Sequence, residues 1–123
     1  MFDSQRVQQI LLNLLSNAIK FSRSDQVVRI GANQKHISLT KTMIVIWVQD
    51  QGIGIPPADQ VNLFTPFYRV KTKEAKTMNP NGNGLGLSIC KRICKHMGGD
   101  IEVESLQGIG STFTYTILAD NPP

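Results

Sequence analysis

Asn13-Leu14-Leu15-Ser16-Asn17-Ala18-Ile19-Lys20-Phe21 holds no helix breaker, and its reading organises the rest of the chain. Extended backwards, it predicts a helix over residues 3–21, capped by Asp3 or Ser4. Ile10, Leu11, Leu14, Leu15, Ala18 and Phe21 project as one broad apolar stripe, with Asn13, Asn17 and Lys20 grouped beside it. Asparagine costs a helix interior about half a kcal/mol against alanine. Two of them four apart, in line with a lysine, therefore ask for a reason. From this segment alone two readings stand: a solvated face, or a face kept for a ligand.

Downstream, residues 27–32 read as a strand and residues 33–42 as a polar turn. Met43-Ile44-Val45-Ile46-Trp47-Val48 is the strongest strand signal in the chain, so an antiparallel pair is expected. Residues 50–57 form a loop in which Ile55-Pro56-Pro57 leads into a short helix over 59–64. Residues 70–81 show neither period and carry Lys71, Lys73 and Lys76, which predicts a mobile loop. A second helix over 85–97 follows, with Leu85, Ile89, Ile93 and Met97 spaced by four and Gly98-Gly99 ending it. Residues 101–104 and 112–118 alternate as strands around a turn at Gly108. Helices and strands mix without regular strand–helix–strand alternation, so the expected class is α/β, an open two-layer sandwich.

Composition sets the outer limits. The chain has 123 residues, 41% of them hydrophobic and 18% charged, which suits one domain with its own core. That domain is expected over residues 1–119, with 120–123 starting a linker, and Met1 lies so close to the first helix that an excised fragment is expected. No apolar run is long enough for a membrane span, and no signal-peptide pattern opens the chain. The net charge of +4 admits an anionic partner. Its basic residues cluster at 69–76 and 91–95, close to glycine-rich turns, which favours phosphate over a long polyanion; no nucleic-acid motif is present. Cys90 and Cys94 fall on one helix face beside Ile89 and Ile93 and read as buried, reduced thiols in a reducing, cytoplasmic setting.

Three glycine-rich turns follow the first helix in order: Asp50-Gln51-Gly52-Ile53-Gly54, Gly82-Asn83-Gly84-Leu85-Gly86-Leu87 and Gly108-Ile109-Gly110-Ser111-Thr112-Phe113. Backbone amides in a turn before a helix suit phosphate oxygens. The spacing is neither that of the phosphate loop ending in Gly-Lys-Ser/Thr nor that of the dinucleotide fingerprint. With the Asn13–Phe21 run, and over nearly the whole chain, the set closely resembles the ATP-binding catalytic domain of sensor histidine kinases, in the GHKL (Bergerat-fold) superfamily. The family fold is a two-layer α/β sandwich with helices on one side of a mixed sheet. Relatives usually carry a further strand upstream of the first helix, which this chain begins too late to hold in full.

The resemblance implies ATP and Mg²⁺ as ligands and assigns roles. Asn17 is the principal magnesium ligand, Asn13 assists, Lys20 neutralises phosphate charge, and Phe21 packs near the nucleotide. Asp50 accepts the exocyclic amino group of adenine, while Gly52 and Gly54 let backbone approach the base. Ile55, Leu85 and Leu87 border the nucleotide. Gly82, Gly84 and Gly86 anchor a lid, residues 70–81, that closes over ATP. Leu63-Phe64-Thr65-Pro66-Phe67-Tyr68-Arg69 resembles the family's phenylalanine motif. In it Phe64 and Phe67 are core anchors, Phe64 being also counted beside the nucleotide, and Arg69 steadies charge on the transferring phosphoryl group. Thr112 falls near adenine and Phe113 in the core.

The implied activity is transfer of the γ-phosphoryl of Mg–ATP to a histidine on a separate helical dimerisation domain of the same protein. A response-regulator receiver would be engaged indirectly, and no nucleic acid or membrane directly; the parent protein can still be membrane-anchored. His36 and His96 read as surface residues outside the family's phosphoacceptor setting, so the acceptor is not in this chain. The alternatives are a non-transferring ATP-binding regulatory module and another GHKL member, an ATPase or a serine kinase.

Overall fold

The computed structural model describes residues 4–23, 25–79 and 84–120. In chain order the elements are α1 (Ser4–Phe21), β1 (Arg29–His36), β2 (Lys41–Asp50), α2 (Pro57–Gln60), α3 (Lys73–Met78), α4 (Gly86–His96), β3 (Asp100–Leu106) and β4 (Gly110–Asp120). The strands form one sheet in the order β1-β2-β4-β3. Helices α1 and α4 pack on each other and on this sheet. The two-layer α/β sandwich is therefore present.

Every ladder among the described residues is antiparallel, where the resemblance implied a mixed sheet. The cause is local. β1–β2 and β3–β4 are two hairpins, and they meet through their second strands, β2 and β4. Register sets the faces: Val48 lies opposite Phe113 and Asp50 opposite Ser111, so these four share the helix side.

The core is built from Ile10, Leu14 and Ala18 of α1, Cys90, Ile93 and Cys94 of α4, and Val48, Ile101, Phe113, Tyr115 and Ile117 of the sheet. Fully burying Ile10 and Leu14 contributes about 1.5–3 kcal/mol each. That outweighs the propensity cost of the two asparagines on the same helix. Cys90 and Cys94 are free and buried, as expected. Burial pushes the Cys94 thiol up to about 12, so it stays protonated at neutral pH. Among the described residues no group of three or more His, Cys, Asp or Glu side chains could hold a metal, and no helix is long and apolar enough to cross a membrane.

Several boundaries move. β1 extends to His36 because Asn33, Gln34 and Lys35 pair with Val45, Ile44 and Met43. A strand at the sheet edge tolerates such polar residues, since the ladder needs only their backbone. Asp120 is the last residue of β4 rather than linker, and it forms an ion pair with Lys41. The proposed cap Asp3 and the remaining tail, residues 121–123, lie outside the described residues.

The largest correction concerns residues 70–81, expected to be a structureless loop. They contain α3, whose first turn is capped by the Thr72 hydroxyl accepting from the Ala75 N–H at 3.1 Å. Only Ala75 of this six-residue helix is buried, so no period could show in the sequence. The Arg23–Glu74 ion pair, 3.0 Å, ties α3 to the segment after α1.

Candidate nucleotide-binding site

A cleft opens at the end of the sheet where Asp50 faces Ser111, between α1, the 53–55 loop, α3 and the start of α4. It has two adjoining lobes that share Asn17, Phe21, Leu63, Val70, Ala75 and Leu87. One, of about 60 Å³, is walled by Ile53, Ile55, Phe113 and the shared apolar residues, and has Asp50 and Ser111 at its end. The other, of about 280 Å³, is more polar and is lined by Asn13, Ser16, Lys20, Tyr68, Arg69, Asn79, Gly84 and Gly86. The first lobe is apolar with one carboxylate, and the second gathers amides and cations.

Asp50 is 8% exposed. Its Oδ1 accepts from the Gly52 N–H at 2.9 Å and from the Ser111 N–H at 3.3 Å. Both bonds fall on one oxygen, which leaves Oδ2 to accept from a group in the cleft. Burial raises the Asp50 pKa above the ordinary aspartate value, and the two N–H bonds oppose that shift.

On α1 the helical spacing turns Asn13, Asn17 and Lys20 toward the polar lobe together. The Asn13 Nδ2 donates to the Cys90 Sγ at 3.5 Å. Arg69 lines the same lobe and donates from Nη2 to the Asn79 carbonyl, holding the end of α3. Tyr68 reaches the lobe while its hydroxyl donates to the buried Asp59.

The glycines divide by what surrounds them. A Cβ on Gly52 would lie 2.1 Å from the Phe21 carbonyl oxygen, and one on Gly54 (φ +69°) 2.1 Å from that of Leu106. Neighbouring backbone alone therefore requires glycine at both positions. A Cβ on Gly86 would meet nothing within 4 Å among the described residues, and Gly86, the first residue of α4, lines the polar lobe.

Most of the expected site converges: Asn13, Asn17, Lys20, Phe21, Asp50, Gly54, Ile55, Arg69, Gly84, Gly86 and Leu87 line the cleft. Others do not. Thr112 belongs to the opposite face of β4, because Ser111 and Phe113 are the buried, cleft-lining residues on either side of it. Phe64 packs edge-on against Phe113 in the core, with ring centroids 6.4 Å apart, and does not line the cleft. Leu85 precedes α4, where its carbonyl accepts from the Ile89 N–H. Gly52 acts through its N–H on Asp50. Gly82 lies outside the described residues.

Phe67, expected in the core, is 71% exposed with φ +66°. It follows Pro66 in a turn closed by the Tyr68 N–H on the Thr65 carbonyl, 3.1 Å, and its left-handed φ at the third position is that of a type II turn. Ser111 and Tyr68 are cleft residues that the sequence reading missed. Strand alternation from buried Phe113 points to Ser111; nothing comparable marks Tyr68.

The chain matches the family of histidine kinase-, DNA gyrase B- and HSP90-like ATPases over residues 2–121. It belongs to that family. It is 44% identical over 120 residues to hybrid signal transduction histidine kinase B of Dictyostelium discoideum, covering 98% of this chain and 6% of that protein. It is also 44% identical over 115 residues to the sensor histidine kinase RcsC of Salmonella typhimurium strain LT2, covering 94% of this chain and 11% of that one. The mycobacterial sensor histidine kinase MprB superposes with a TM-score of 0.71 at 30% identity, over 100% of this chain and 78% of that one. The chain thus spans a small part of the curated relatives, and the part it matches is the ATP-binding catalytic domain of two-component histidine kinases.

Proposed function

We propose that the cleft binds Mg–ATP with adenine in the apolar lobe, and that the domain transfers the γ-phosphoryl group to a histidine on a separate helical dimerisation domain. The observation that carries this reading is the cleft's polarity: one buried carboxylate at the apolar end, with amides, cations and an open helix N-terminus at the other. Asp50 Oδ2 accepts the adenine amino group; guanine presents a carbonyl there and is rejected. Phe21, Ile53 and Phe113 exclude water around the base.

At the polar end Asn17 and Asn13 fit magnesium, a hard cation that keeps most of its waters beside phosphate and takes one or two protein oxygens. Held by these amide oxygens, the ion would supply positive charge against the charge that develops in transfer. Lys20 adds positive charge, and Arg69, placed in the same lobe, stabilises the transferring group. Phosphoryl transfer rests on positioning and electrostatics, so the chain needs no strong general base.

His36 ends β1 and bonds Thr42 Oγ1 at 3.0 Å, while the exposed His96 ends α4. Neither is placed in the cleft lining. Given Mg–ATP alone, the domain should therefore not label itself. Mixed at high concentration with a helical domain of its parent protein that carries a phosphoacceptor histidine, it should label that domain in trans. The bond should be acid-labile and base-stable. A label that survives acid but not base points to a serine or threonine target, and tight Mg–ATP binding without transfer to a binding module.

Two glycines in the same turn should respond differently. Gly86→Ala should leave the melting temperature unchanged or raise it slightly, since alanine at the first helical position gains at most the interior propensity of about 0.8–1 kcal/mol and meets no neighbour among the described residues. The same methyl fills the space assigned to phosphate, so ATP affinity should fall while adenosine affinity holds. Gly84→Ala should instead lower the melting temperature. Its φ is +75° and its Cβ would lie 2.5 Å from the Phe67 carbonyl carbon. Melting curves and calorimetric titrations of both variants check this pair.

A further inference from the structure

Cys90 is fully buried between α4 and α1, yet its sulfur is bonded to a residue that lines the polar lobe. The Asn13 side chain donates from Nδ2 to the Cys90 Sγ at 3.5 Å. A side-chain amide held by its NH₂ on one side presents its carbonyl oxygen on the other. Turned over, the same amide would offer two N–H donors to the cleft and repel a cation there.

We infer that Cys90 is a positioning residue for the phosphate end of the cleft, fixing Asn13 so that its carbonyl oxygen faces a bound magnesium ion. The inference rests on the Mg–ATP reading of that lobe. Sulfur suits the position because it accepts a hydrogen bond weakly while packing as an apolar atom. An oxygen acceptor between two helices would carry a larger desolvation cost. Asn17, by contrast, has no hydrogen-bond partner for its side chain among the described residues and can turn to meet the ion.

Cys94 supplies the control. It is equally buried, lies one helical turn further along α4, and is absent from the cleft lining. A purely structural role for these cysteines predicts that truncating either has the same consequence. A positioning role predicts that only Cys90 affects the metal.

The test titrates a fluorescent ATP analogue with and without magnesium against the wild-type chain, Cys90→Ala, Cys94→Ala, Asn13→Ala and the Cys90→Ala/Asn13→Ala double variant, each beside a melting curve. The gain in affinity that magnesium confers should fall about three- to tenfold in Cys90→Ala, the range of one ordinary hydrogen bond. Affinity without magnesium should hold, and Cys94→Ala should keep the full gain. The double variant should lose no more than Asn13→Ala alone, because both changes act through one group. In the nucleotide-free wild-type chain, the Asn13 side-chain amide protons should also exchange more slowly than those of Asn17, read by ¹⁵N NMR.

A full magnesium gain in folded Cys90→Ala overturns the inference. So does equal loss with and without magnesium, matching Cys94→Ala. If Cys90→Ala fails to fold, unprotected Asn13 amide protons in the wild-type chain overturn it. A wild-type chain that shows no magnesium gain, with Asn13 protected, overturns the metal reading of the lobe and with it the purpose assigned to the Cys90 bond.

Discussion

Asp50→Asn should weaken ATP binding by about ten- to a hundredfold while leaving the fold as stable as before or more so. The loss follows from how the carboxylate is held. Oδ1 already accepts from the Gly52 and Ser111 N–H groups, so the amide oxygen of asparagine must take that place. The NH₂ is then forced into the position of Oδ2, where it meets the adenine amino group donor to donor. An unsatisfied buried polar pair costs about 1–3 kcal/mol, which sets the range. Isothermal titration with ATP and GTP measures it; wild-type affinity that is equal for the two nucleotides would remove Asp50 from base recognition.

The stability half of this prediction comes from the sign of the Asp50 shift. Folding raises its pKa, chiefly through burial. The protonated form therefore favours the folded state fully below the ordinary aspartate range, and that contribution is lost as pH rises through the raised value. At neutral pH the ionised group costs stability, and the neutral amide removes that cost. Nucleotide binding runs the other way. It requires the carboxylate, so ATP affinity should decline on acidification at a higher pH than an exposed aspartate, at about 3.9, would give.

Much of this was legible because periodicity records burial. The stripe of α1 and the β2 run each reflect one face meeting one core, and α1, β2 and α4 each formed within a few residues of the expected span. On α4 the inward face is Cys90, Ile93 and Cys94, while Ile89 is exposed. What failed to show did so for nameable reasons. α3 has one inward residue, too few to define a period. Phe67 is large and apolar, yet it takes the third position of the turn after Pro66 with φ +66° and is exposed. The resemblance points to Thr112, whereas alternation from buried Phe113 selects Ser111. Gly52 and Gly54 also answer to long-range neighbours, Phe21 and Leu106, that no local motif shows. A local motif marks where glycine is needed; only the fold says what it is needed against.

Asn17→Ala should abolish most of the magnesium-dependent part of ATP affinity, a loss of about tenfold or more, and should also raise the melting temperature. The two effects have separate origins. Alanine gains about half a kcal/mol of helix propensity, and no side-chain hydrogen bond among the described residues is lost with the amide. Magnesium, on the other hand, takes only one or two protein oxygens beside phosphate, so removing one leaves the ion held almost entirely by the nucleotide and water. Binding measured in a chelator should then be nearly unchanged, within about twofold, because Phe21, Asp50 and the apolar lobe are untouched. Asn13→Ala should lose less, since Asn13 assists rather than leads. A folded Asn17→Ala variant with wild-type magnesium dependence would take the ion away from Asn17. The remaining oxygen donors of the polar lobe, Asn13 and Ser16 among them, would then have to hold it.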